Sequence, residues 1–191
     1  SIHNSSFLGV LNLNGTHIQG SARLGGRKGT LDGSSEQVSQ THFKKVVLDA
    51  ARIDKELHID TSIIEDGLML SDLHVGATLI IVTTEVTNAK TIEIKFSDLG
   101  NLIIMQSALP SLDLTGTVIH KKLALGSNKW AKDATLTMRG TETKSLNDKV
   151  DSWPDVIDLR GFAYADTFAL GTGSDNFTER DVKWFKDWLS K

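Results

Sequence analysis

The sequence predicts an all-β protein, a single-stranded β-helix wound as a square solenoid of about 21–23 residues per coil and followed by one C-terminal α-helix. Three observations point there. Apolar residues recur at steps of five or six through most of the chain. The residue two positions before each apolar centre alternates between large aliphatic and small types from one side of the coil to the next. Glycine is frequent (16) and proline scarce (2), with no long helical pattern before residue 178. No α-helix has a period of five, and a plain strand has a period of two. A short strand plus a corner, four times per coil, fits the step.

The elements follow in order. Leu8, Leu13, Ile18 and Leu24 open the series, which assigns them to sides four, one, two and three. A Gly/Ser-rich stretch, "GGRKGTLDGSSEQ", then carries longer steps through Leu31 to Val38. From Phe43 and Leu48 the regular series runs through Ile53, Ile59, Ile64, Leu70, Val75, Ile81 and Val86. A longer step at "TNAK" marks a small loop, and the series resumes from Ile94 to Leu125. The positions two before the centres read Thr16, Thr41, Ser62, Thr84 and Ser107 on side two, and Leu57, Leu79, Leu102 and Leu123 on side one. Period two puts both positions on the inward face, so large pairs opposite small ones fill a narrow interior. Beyond Leu125, "LTM" and "IDL" read as two further core strands, joined by a polar loop, "RGTETKSLNDKVDSWPD". The β-helix domain is thus assigned to 1–170 and a capping turn with an amphipathic helix to 171–191. Thr178 is the expected N-cap of that helix, with Val182, Phe185, Trp188 and Leu189 on one face. All four Trp lie beyond residue 129, where an open solenoid end needs covering.

Composition excludes several classes. A net charge of −3 carries no nucleic-acid footprint. There is no cysteine, hence no disulfide framework. No apolar run approaches the ~20 residues of a membrane span, so a soluble protein, cytoplasmic or peripheral to a membrane, is expected, with the compartment itself unassigned. The chain opens at Ser1 without Met, which leaves room for a processed segment or a larger parent.

The step of five with a central Leu or Ile resembles the pentapeptide-repeat proteins, which form right-handed quadrilateral β-helices. That family favours Ala two before the centre, whereas sides one and three here carry Leu, Val or Ile. The repeats "LNLNGTHIQGSARL" and "LDLTGTVIHKKLAL", with "IDLRGFAYADTF", are similar to a bacterial family labelled membrane-associated oxidoreductase, over about residues 6–170. This resemblance implies a right-handed solenoid and an oxidoreductase association, and transfers no catalytic residue.

The chain carries no assembled chemistry of its own. "LGTGS" lacks the remainder of a dinucleotide fingerprint. The repeat sets His17 and His42 outside side two, His58 on side one, and His74 and His120 near side four. The last two are ~10 Å apart along the axis at ~4.8 Å per coil, too far to share a metal. No cofactor and no metal site is expected. Glu93 and Asp113, outward on side three of adjacent coils, are a carboxylate pair of the kind a carbohydrate-active β-helix uses.

The two runs "LIIVTT" and "LIIMQS" carry the main candidate site. Leu79 and Ile81, with Leu102 and Ile104, point inward. Ile80, Val82, Ile103 and Met105 must therefore point outward as one apolar patch. Such a patch on a non-catalytic scaffold points to a protein partner or a second copy of the chain. The alternatives are an oxidoreductase-associated domain and a carbohydrate-active β-helix.

Overall fold

A computed structural model describes residue 2 and residues 6–29, 37–148 and 152–165. The chain forms a parallel β-solenoid of about five turns. Each turn has four sides, and each side pairs in parallel with its counterpart one coil on. The 23-residue interval between the two apolar runs is one coil: Leu79 pairs with Leu102 and Ile81 with Ile104. The preceding coil supplies Leu57 and Ile59, the following one Leu123 and Leu125.

Two inward positions per side build the core. On side one the pairs Leu57/Ile59, Leu79/Ile81 and Leu102/Ile104 are fully buried. Side three stacks Val46/Leu48, Leu68/Leu70, Ile92/Ile94 and Leu112/Leu114, also fully buried. Sides two and four place a small residue first in most coils. Ser62, Thr84, Ser107 and Asn128 line side two; Ser97, Thr117 and Thr141 line side four, all buried.

The corners explain why those residues carry hydroxyls rather than methyls. Between sides one and two, Thr61, Thr83, Gln106 and Ser127 each adopt φ of 48–54°. Between sides three and four, Ala50, Asp72, Phe96, Gly116 and Gly140 adopt φ of 54–66°. These left-handed corners turn the chain sharply and leave backbone groups facing inward, where they need partners. The equivalent residue one coil on supplies them. Ser97 donates its hydroxyl to the Leu70 carbonyl (2.9 Å) and accepts from the Leu73 amide (3.1 Å). Thr84 donates to the Ile59 carbonyl (3.1 Å), and the Thr84 amide donates to Ser107 Oγ (3.2 Å). Asn128 closes the series, its Nδ2 donating to the Ile104 carbonyl (2.9 Å) and its Oδ1 accepting from the Ser107 amide (3.1 Å).

Three expectations are corrected. The first coil sits two sides away from its assignment: Ile18 pairs with Ile53 on side four and Leu24 with Ile59 on side one. The cause is the stretch after Gly25. It leaves the coil through an antiparallel pairing of Arg27–Gly29 with Gln37–Ser39 and makes no two sides of its own. Val38 lies in that antiparallel pairing, opposite Lys28, and Leu31 lies outside the described residues. His17 moves with that coil to side four, in register with Arg52. The expected polar loop after Arg139 is partly a strand, Glu142–Asp148, pairing with Val118–Gly126. Thr141 just before it and Thr143 within it point inward beside Leu146, so an apolar search passes over it. The expected C-terminal helix and the segment 171–191 lie outside the described residues.

Candidate functional site: the outer face of side one

Side one carries the four candidate patch residues. Its strands are extended by a bulge at the corner with side four, so that His74–Val82, Asp98–Met105 and Val118–Gly126 run through both sides. In the first two of these strands the bulge holds a glycine at a close backbone approach. A Cβ on Gly76 would lie 2.3 Å from the Asp54 carbonyl oxygen, and one on Gly100 only 2.1 Å from that of Ala77. Close backbone approach there brings successive coils into register along side one.

The four expected patch residues come together on this wall. Ile80 pairs with Ile103 and Val82 with Met105, a two-by-two block of outward apolar side chains on adjacent coils. Met105 is exposed at 36%, while Ile80, Val82 and Ile103 are half-buried. They shade one another because strands stack ~4.8 Å apart. Above the block lie Ala124, in register with Ile103, and Gly126, in register with Met105. The Met105 side chain rests against Gly126, whose Cβ would meet Met105 Cε at 3.3 Å. The block is thus continued upward by small groups and stays flat.

Below it the wall becomes charged. His58 pairs with Ile80 and Asp60 with Val82; Arg23 lies one coil further down, in register with His58. Arg23 Nη2 bonds both Asp60 Oδ2 (3.1 Å) and His58 Nδ1 (3.3 Å). The far side of the His58 ring, Nε2, bonds Glu56 Oε2 at 3.0 Å. The Asp60 carboxylate sits against Gly25 of the coil below, where a Cβ would lie 2.6 Å from Oδ1. That oxygen is buried and accepts no hydrogen bond. The displaced first coil hid Arg23 from sequence reading, which put its strand on side three. The alternation of His58 and Asp60 with Leu57 and Ile59 was already visible.

The other candidates are dispersed or internally paired. Glu93 and Asp113 do pair in register on side three. However, Glu93 holds Lys95 (2.8 Å), and Asp113 accepts from the amide and hydroxyl of Thr115 (2.9 and 2.6 Å). The Glu93 carboxylate raises the Lys95 pKa, chiefly through that hydrogen bond. Further along the wall, Asp158 bonds both Arg160 and Arg139, which hold its carboxyl well below the usual range. On side four, His74 and His120 both lie against Asp98, at 3.3 and 3.2 Å. Among the described residues no three His, Asp or Glu side chains converge as metal ligands would. An open recess of about 350 Å³ lies near the end of the described coils, lined by Trp130 and Trp153 with Lys132, Asp133 and Asp155. Trp130 Nε1 donates to the Ser152 carbonyl at 2.9 Å.

Fold and face together define the class: a parallel β-solenoid with an apolar block on one outer wall, grading into a charged end. Comparison with known protein families, with curated proteins and with solved structures finds no match to this chain. No helix among the described residues is long and apolar enough to cross a membrane.

Proposed function

We propose that the protein is a non-catalytic β-solenoid scaffold or interaction module, which engages a protein partner or a second copy of itself through the outer face of side one. The reading rests on one observation: Ile80, Val82, Ile103 and Met105 form a contiguous outward block, where a solvated sheet face would carry polar residues. Binding through a rigid wall costs little conformational entropy, because register and corner bonds already fix the backbone. The replacement Ile103→Glu, alone or with Ile80→Glu, is expected to abolish association while leaving the far-ultraviolet circular dichroism unchanged. Unaltered sizing and pull-down behaviour in both variants would remove this face as an interface.

A second reading, an oxidoreductase-associated domain, is carried by the "IDLRGFAYADTF" segment. Its strand Val156–Asp158 pairs with Thr135–Thr137 in the wall of side three. A flavin or haem absorbance, or a stoichiometric metal, in the purified protein would favour it.

A further inference from the structure

The corner between sides two and three changes character in the last described coils. The inward centre of side two is Ile64, Val86 and Leu109 in successive coils, all buried. The next residue of that column, in register with Leu109, is Trp130. An indole overfills a column sized for Leu. Trp130 packs against the core yet stays half-buried, which leaves part of its ring outside. The corner beyond it is also longer. Leu109 is followed by Pro110 and Ser111 before the side-three residue Leu112, whereas Trp130 is followed by Ala131–Thr135 before Leu136. Lys132 and Asp133 stand exposed in this longer corner, Asp133 at a left-handed φ of 62°. One coil on, Trp153, Pro154 and Asp155 supply the rest of the lining of the 350 Å³ recess.

The walls are fixed before any ligand arrives. Trp130 Nε1 donates to the Ser152 carbonyl (2.9 Å), which holds the ring in place. Ser152 is itself buried, and its hydroxyl accepts from the Ser127 amide (3.3 Å). Pro154, also buried, has its φ locked by its own ring. A preorganised recess gives up little conformational entropy on binding. Its volume falls at the small end of the ~300–1,000 Å³ of ligand sites, and aromatic faces with a few polar groups are the usual lining of such sites.

The lining selects the class of ligand. An anion would meet the Asp133 and Asp155 carboxylates, and a cation would meet the Lys132 ammonium. A wholly apolar ligand would desolvate all three charges without replacing their partners. A neutral ligand with an apolar face and a rim of hydroxyls suits every group. Its C–H bonds lie on the electron-rich indole face, while its hydroxyls donate to the carboxylates and accept from the ammonium. We propose that the recess binds a neutral saccharide, one pyranose unit resting on the Trp130 and Trp153 indoles with its hydroxyls on Asp133, Asp155 and Lys132. Because the recess is open, that unit can belong to a longer chain. This site goes beyond the interaction through side one and stands independently of it.

Native gel electrophoresis of the full chain, with and without a neutral soluble polysaccharide in the gel, tests this. The probes are hydroxyethylcellulose, galactomannan and dextran, and choline and inorganic phosphate are titrated separately by calorimetry. At least one polysaccharide should retard the wild type, with a Kd of about 1 mM for an open site of this size. Trp153→Ala should abolish the retardation. Because Trp153 also packs on the core, a second variant replaces only exposed residues, Lys132→Ala together with Asp133→Ala. It should bind about tenfold more weakly with an unchanged circular dichroism spectrum. Ile103→Glu should be retarded like wild type, which separates this outcome from that of the side-one interface. No retardation by any of the three polysaccharides overturns the saccharide site, as does saturable binding of choline or phosphate in its place. Wild-type retardation in either recess variant overturns the recess as the place where the sugar binds.

Discussion

At the scale of single residues, the corners govern this molecule. A left-handed corner leaves amide and carbonyl groups inside a narrow core, and a hydroxyl at the equivalent place one coil on satisfies them. Ser97 is the clearest instance, 1% exposed and bonded to the backbone on both sides of the Asp72 corner of the preceding coil. The replacement Ser97→Ala keeps the packing but strands the Leu70 carbonyl and the Leu73 amide. A loss of about 1–3 kcal/mol is expected in urea unfolding. Gly100 meets a different constraint, since any Cβ there collides with the Ala77 carbonyl. The replacement Gly100→Ala should cost about 2–3 kcal/mol by forcing the coils apart, read as a fall in the thermal midpoint. Asp158 provides a pH test. Its folded carboxyl titrates below the unfolded one because Arg160 and Arg139 hold it charged. Its contribution is therefore full above the unfolded value of ~3.9 and fades as pH falls below that value. The stability gap between wild type and Asp158→Asn should narrow below about pH 4 and also shrink with salt.

At the scale of strands and coils, the repeat was legible wherever Leu or Ile fills both the rhythm and the core. From Phe43 to Leu125 the inward positions expected from the five-residue step are the buried ones. Two failures have physical causes. Between Leu24 and Phe43 the chain leaves the coil and returns, and apolar spacing alone does not separate a detour from two further sides. In Glu142–Asp148 the coil continues with Thr143 at an inward position, 5% exposed. Its register is set by backbone pairing with Val118–Gly126, which leaves no apolar signature. The hydroxyl columns were visible in the sequence as a volume effect, but their hydrogen-bonding role needed the corner geometry. The apolar block was legible because period two leaves no other direction for Ile80, Val82, Ile103 and Met105. The Trp130–Trp153 recess was not, because its walls come from separate coils.

At the scale of the whole molecule, a parallel solenoid turns a one-dimensional repeat into walls of aligned side chains. Any property repeated at one coil position becomes a stripe, so a block of apolar residues needs only two similar segments one coil apart. The core does not depend on the outward residues, and this makes the wall separable from the fold. The replacement Ile103→Glu exploits that separation, since the side chain it adds lies outside the stacked Leu102 and Ile104, which stay fully buried. The most direct measurement is the association of wild type and Ile103→Glu compared by sedimentation under identical conditions, each first shown to be folded by circular dichroism. A folded Ile103→Glu protein that no longer associates where wild type does is the predicted result. A folded variant that associates as tightly as wild type would contradict the assignment of side one as the functional face.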